Sequence, residues 1–291
     1  MWTIRRVVTW ATEDLRGRGA SSPRLEVELL LGLVLGLDRV QLIVDADRPL
    51  RRDELARYRA LHQRRRAGEP VAYLRGVREF YGRNFRVDAR VLVPWPETEI
   101  LVEVALRRTR ALSLSARVLD LCTGSGCVAI TLARERPTIR IMGADISEHA
   151  LVVARENASR LGATHQIVLL HSDLYAALAP GAKFDLITAN PPYIPDPEIP
   201  SLPVDVRAFE PRLALAGGDD GLAIVRRIVA QAPSFLAPGG VLALEIGAEQ
   251  APQASVLLEQ AGLTAIERER DYAGHERVVS GELSRRTEPS P

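Results

Sequence analysis

Four residues closing one apolar run, Asn190-Pro191-Pro192-Tyr193, carry the most distinctive chemistry in this chain of 291 residues. The run before them, "FDLITA" (184–189), reads as a buried strand. Proline has no N–H to donate, so an ordinary ladder stops at Pro191 and Pro192. Such a corner presents acceptors: the asparagine side-chain oxygen and a proline-flanked carbonyl can each take one N–H of a planar NH₂ group. Gripping both hydrogens fixes a nitrogen whose lone pair is delocalised and which reacts only when closely placed. Tyr193 can stack on the planar group. A rigid turn would account for the prolines and leave the asparagine and tyrosine without a reason.

A second group of residues is suited to a cofactor. The strand "RVLDL" (117–121) runs into "CTGSGC", where Gly124-Ser125-Gly126 opens a helix. Glycines there let a ligand approach the backbone closely. Asp145 ends the next strand, 19 residues after Gly126, where an acid can accept from ribose hydroxyls. Asp120 puts a carboxylate near the loop, better matched to an ammonium group than to a pyrophosphate. Asp173, after "IVLLHS" (167–172), can accept from an adenine amine or cap a helix. S-adenosyl-L-methionine, with its sulfonium, amino-acid tail, ribose and adenine, matches these acids. A dinucleotide, or tight strand-to-helix packing with no ligand, remains the alternative for the loop alone.

To line one edge, these residues need alternating strands and helices. From about residue 115 the pattern alternates: strands at 117–121, 139–145, 167–172, 184–189 and 241–246, with helices between them such as 148–162. This predicts a parallel sheet covered on both faces, with "AIERER" and "ERVVSG" as a last, antiparallel pair. Residues 1 to about 75 read as helices, with Ser22-Pro23 as a helix start and the apolar "RLEVELLLGLVLGL" at the centre of a small bundle. The segment 51–66 sets seven arginines around a Leu55, Tyr58, Leu61 stripe. That is either a solvated helix face or a docking surface for an acidic or RNA-containing partner. Residues 77–93 read as a β-hairpin, and the proline-rich stretch after Tyr193 as a loop that shapes a substrate site.

Bulk properties narrow the class. The chain is 46% hydrophobic and 26% charged, enough for a sizeable core. A formal net charge of +1 argues against a general nucleic-acid binder. Cys122 and Cys127 lie in one loop with no second ligand pair, so neither a disulfide framework nor a metal site is expected. No apolar stretch reaches the roughly 20 residues of a membrane span, and the expectation is a cytoplasmic protein.

Taken in order, "VAYLRGVREFYG", "VLVPWPETEILVE", "VLDLCTGSGCVAITLA", "GADISEHALVVARENA", "FDLITANPPYIP", "EPRLALAGGDDGL" and "DYAGHERVVSG" resemble the bacterial release factor glutamine methyltransferases, the PrmC/HemK family. The resemblance implies a class I S-adenosylmethionine-dependent methyltransferase fold, Rossmann-like with a mostly parallel seven-stranded sheet, and a small all-α N-terminal domain. Together with the sequence pattern it divides the chain into a helical bundle (1–75) expected to dock the substrate, a hairpin linker (76–93), the methyltransferase domain (94–283) and a polar tail expected to be disordered (284–291). The implied activity is methylation of the side-chain amide of the glutamine in the Gly-Gly-Gln motif of class-I peptide chain release factors, by a monomer.

By motif, Asp120, Cys122, Thr123, Gly124, Ser125, Gly126, Asp145, Ile146, Asp173, Leu174 and Asn190 fall at the cofactor. Asn190, Pro191, Pro192 and Tyr193 hold the glutamine, with Asn190, Pro191 and Tyr193 as catalytic residues. Two features depart from the family pattern: Trp95 stands where arginine is common, and Cys122 and Cys127 flank the glycine loop where glycine and a small residue are common. The "CTGSGC" form also occurs in related glutamine methyltransferases acting on a large-subunit ribosomal protein. The Asn-Pro-Pro-Tyr motif also occurs in adenine-N6 DNA methyltransferases.

Overall fold

The structure, a computed structural model, describes residues 1–110 and 115–285. It divides into two compact units, one of residues 1–77 with 203–209, the other of residues 78–202 and those from 210 onward. Most of the tail expected to be disordered, residues 286–291, lies outside the described residues.

The first unit is helical: α1 (Ile4–Arg16), α2 (Pro23–Leu35), α3 (Arg39–Val44), α4 (Arg52–Arg66) and α5 (Val71–Arg75). Ile4, Val7, Ala11 and Leu15 recur at helical spacing on α1 and share a core with Val27, Leu30 and Leu31 of α2 and Tyr58 of α4. Ser22 stands at the cap of α2 with Pro23 behind it, but its hydroxyl makes no capping hydrogen bond. The acids that interrupt the α2 run, Glu26 and Glu28, are buried. A buried carboxylate needs a cation. Arg65 lies 2.7 Å from Glu26, and Arg24 and Arg39 each lie 2.8 Å from Glu28. Other arginines of the 51–66 run are also tied down within this unit, Arg57 to Asp53, Arg64 to Glu69 and Arg66 to Asp14. These ion pairs favour a packed, solvated helix over an open basic patch.

The second unit begins with the hairpin β1 (Val77–Phe80) and β2 (Arg83–Arg86), a separate two-stranded sheet. It buries Phe80 and Phe85 in the unit's core. There follow α6 (Thr98–Arg108), β3 (Arg117–Leu121), α7 (Cys127–Glu135), β4 (Arg140–Asp145), α8 (Glu148–Arg160), β5 (Ile167–His171), β6 (Phe184–Ala189), β7 (Leu236–Glu245), β8 (Leu263–Arg270) and β9 (Glu276–Leu283). Two further helices, Ala223–Phe235 and Ala251–Gln260, flank β7 in the chain.

The seven strands order as β5-β4-β3-β6-β7-β9-β8, parallel except where β9 pairs with β7 and β8. Side-chain alternation divides the core into two layers. Val118, Leu186, Val241 and Ala243 pack with α6 and α7, while Leu119, Leu121, Ile187, Leu242 and Leu244 pack with the two later helices. Beyond Leu121 and Ala189 the chain leaves β3 and β6 at the point where strand order reverses. That is where open α/β sheets bind ligands.

Candidate active site

At that edge lies a cavity of about 290 Å³. The end of β3 and its loop supply Asp120, Cys122, Thr123, Gly124 and Ser125 to the wall, the end of β4 supplies Asp145 and Ile146, and β5 is followed there by Asp173 and Leu174. Asn190 and Pro192 close the β6 side. Three motifs far apart in sequence thus meet because parallel strands all end at one edge. Gly126, Pro191 and Tyr193 are not on the wall.

The two loop glycines have different reasons to be glycine. Gly124 has φ +54 and a side chain there would meet only the Cys122 carbonyl, at 3.9 Å, so it presents bare backbone to the cavity. Gly126 has φ +79, and a β-carbon would come within 2.9 Å of Ile130 and 3.3 Å of Ala154. That lack of a β-carbon lets α7 and α8 pack, and Gly126 stays off the cavity wall. Cys122 and Leu174 adopt φ +55 and +52, which disfavour any residue with a β-carbon. Both line the cavity, and such strain tends to collect at binding sites.

The acids differ in environment. Asp120 is buried and accepts from Thr123 and Thr188 hydroxyls, each at 2.7 Å. Burial outweighs these bonds and raises its carboxyl to about 6. Asp145 accepts from the Gly124 amide at 2.8 Å and the Ser147 amide at 2.9 Å. Burial nonetheless holds it above the usual carboxylate range. Asp173 is half-exposed and pairs with Arg227 at 2.8 Å, and turns rather than a helix follow it, so it caps none. A bare glycine backbone flanked by three carboxylates fits a ligand with a cationic tail and hydroxyl and amine donors.

The Asn-Pro-Pro-Tyr corner is braced from behind. Past the prolines, Ile194 donates to the Leu215 carbonyl at 3.1 Å and accepts from Gly217 at 2.8 Å, so pairing resumes one residue after Tyr193. Gln250 donates to the Tyr193 carbonyl at 2.9 Å. Gly221 leaves room for that carbonyl, which would lie 2.3 Å from any β-carbon there. The Asn190 Nδ2 donates to Thr98 Oγ1 at 3.2 Å, leaving Oδ1 as the side chain's acceptor. The Tyr193 hydroxyl donates to Glu245 at 3.4 Å, away from the cavity wall where stacking on a substrate was expected.

Sequence reasoning missed Thr98, Arg227 and Glu245. The rule that found Asp120, an acid closing an apolar strand, applies equally to Glu245 at the end of "VLALE". Thr98 stood inside the quoted "PETE" stretch without a role, and nothing in the helix "AIVRRIVAQAPSF" marks Arg227 as reaching the cavity.

Residues 6–76 match the family described as PrmC N-terminal domain, and residues 96–199 the one described as methyltransferase small domain. The fold is similar to a methyltransferase from Pyrococcus furiosus, with a TM-score of 0.52, 17% identity and coverage of 70% of this chain and 91% of that one. A release factor glutamine methyltransferase from Burkholderia pseudomallei is 46% identical, over 91% of this chain and 94% of its own. A relative of the same name from Geobacter sulfurreducens is 42% identical, over 97% of this chain and 98% of its own. With both of its units matched and relatives alike from end to end, this chain belongs to the release factor glutamine methyltransferase family.

Proposed function

We propose that this protein methylates the side-chain amide nitrogen of the glutamine in the Gly-Gly-Gln motif of class-I peptide chain release factors, with S-adenosyl-L-methionine as cofactor. The observation that carries the reading is the Asn190 carboxamide, set on the cavity wall at the end of β6 with its Nδ2 already bonded to Thr98. Its Oδ1 is then an acceptor for one N–H of an incoming carboxamide, and the rigid proline backbone supplies a carbonyl for the other. Holding both hydrogens fixes the nitrogen and favours pyramidal geometry, which frees its lone pair for attack.

Gly124, Asp120, Asp145 and Asp173 would hold the cofactor, whose sulfonium supplies an electrophilic methyl group. Asp120 and Asp145 offer negative charge to its ammonium and ribose ends, and the bare Gly124 backbone allows close approach. As the new N–C bond would form, the methyl–sulfur bond would break with its electron pair left on a neutral sulfur, and the substrate nitrogen would give up its extra proton to water. The helical unit is assigned to docking the release factor.

Incubation with methyl-labelled cofactor and purified release factors tests the reading, with label expected on the Gly-Gly-Gln glutamine. Label on a ribosomal protein or an oligonucleotide instead would reject the substrate. Asn190→Ala is expected to lower methylation by at least about a hundredfold while cofactor affinity, measured by calorimetry, changes little. Unchanged turnover in that variant would remove the mechanism.

A further inference from the structure

Strand register places a buried acid behind the acceptor corner. In the parallel β6–β7 pair Thr188 faces Ala243 and Ala189 faces Leu244, so the next step sets Asn190 beside Glu245. Both belong to the face of the sheet that α6 covers, and Thr98 is the first residue of α6. Glu245 is 1% exposed. The Tyr193 hydroxyl donates to it at 3.4 Å, and the Thr98 hydroxyl lies close enough to favour its charged form.

We propose that Glu245, acting through the Thr98 hydroxyl, sets which way the Asn190 carboxamide faces, making Thr98 and Glu245 positioning residues for the acceptor corner. This deepens the function just proposed and rests on it. The two ends of a carboxamide have the same shape, so its orientation is decided by what each end meets. A threonine hydroxyl has one proton, and an ionised carboxylate can only accept. Once Glu245 takes that proton, Thr98 Oγ1 has only lone pairs left for Asn190, which must turn its NH₂ toward them. Its Oδ1 then faces the cavity. The reverse orientation would present NH₂ to the substrate's own NH₂, donor against donor.

The relay depends on the charge of Glu245. Burial is the main influence and raises its carboxyl to about 7, opposed by Thr98, Arg277 of β9 and Tyr193. Glu97, just before α6, pushes the same way as burial, and Cys127 of α7 is a further titratable neighbour. Glu97 Oε2 and Glu245 Oε2 are both buried without a hydrogen-bond partner among the described residues. Arg277 also serves Asp271, 3.0 Å from its Nε. A protonated Glu245 can donate to Thr98 and no longer dictates the orientation.

Thr98→Val, Thr98→Ser and Glu245→Gln test the relay. Thr98→Val keeps the shape and removes the hydroxyl, and is expected to lower kcat at least about tenfold with cofactor affinity unchanged. Thr98→Ser should recover kcat to within about twofold of the parent. By NMR, the Asn190 side-chain NH₂ protons should exchange slowly in the parent and in Thr98→Ser, and quickly in Thr98→Val. The parent kcat should rise with pH through an ionisation near 7, and Glu245→Gln should flatten that rise. Equal kcat and equal NH₂ exchange in the valine and serine variants, or the same ionisation persisting in Glu245→Gln, would overturn the inference. A parent protein that methylates no release factor would instead remove the reading beneath it, and the NMR comparison would still decide the relay.

Discussion

Cys122 shows how a single residue can occupy a place that backbone geometry would assign to another. Its φ of +55 costs an L-residue about 1–2 kcal/mol, and glycine would relieve that strain. Glycine would also free the unfolded chain by about 0.5–1 kcal/mol and forfeit some packing by the thiol. The two effects nearly cancel, so Cys122→Gly is expected to change stability in urea by less than about 1 kcal/mol. The thiol is no nucleophile, since burial among Asp145, Asp120 and Asp173 pushes its pKa far up. Cofactor affinity and methylation should therefore survive the change. A loss of more than about 2 kcal/mol, or of cofactor binding, would show that the sulfur itself matters.

At the scale of the element, the strand ends determine both what could be read from sequence and what could not. Asp120, Asp145 and Asn190 were legible because each closes an apolar run, and parallel strands bring such closures to one edge. For Gly126 the motif does not reveal whether the missing β-carbon makes room for a ligand or for Ala154 of the next helix, the contact seen in the fold. Thr98 and Glu245 were missed because their partnership depends on β6–β7 register and on α6 lying over it, neither of which is local. The buried strand end also makes stability depend on pH. The Asp120 carboxyl rises from 3.8 to about 6 on folding, so between those values the folded chain binds more protons than the unfolded one. Its contribution is present below about 4 and is lost as pH rises through about 6. Asp120→Asn cannot ionise. Its melting temperature relative to the parent should therefore climb between roughly pH 4 and 6 and level off above about 7, whatever constant offset the altered hydrogen bonds introduce. A difference that is flat across this range would show that Asp120 is not the group responsible.

Across the whole molecule, the chain does not divide at a single point. The helical unit takes in residues 203–209, well inside the stretch the sequence assigns to the methyltransferase domain, and Arg65 shows why. It is 11% exposed, lies 2.7 Å from Glu26 of α2 and 3.7 Å from Asp205, and so holds the short helix Val204–Arg207 to the bundle. Gly68 makes the same join by shape, since a β-carbon there would fall 2.0 Å from Val204. Composition could not announce this, because an arginine in an arginine-rich run looks like any other. Arg65→Met leaves Glu26 buried without its cation, a loss of about 3 kcal/mol. The amides of Val206, Arg207 and Ala208, bonded to Pro203 and Val204 carbonyls, should then exchange faster with solvent. Amides within β3 and β6 should keep their protection if each unit opens by itself. Arg5→Met, which breaks an exposed pair with Asp47, should do neither. Equal loss of protection in the helices and the sheet of the Arg65 variant would mean that the two units unfold as one, and that the segment 203–209 is no boundary in energy.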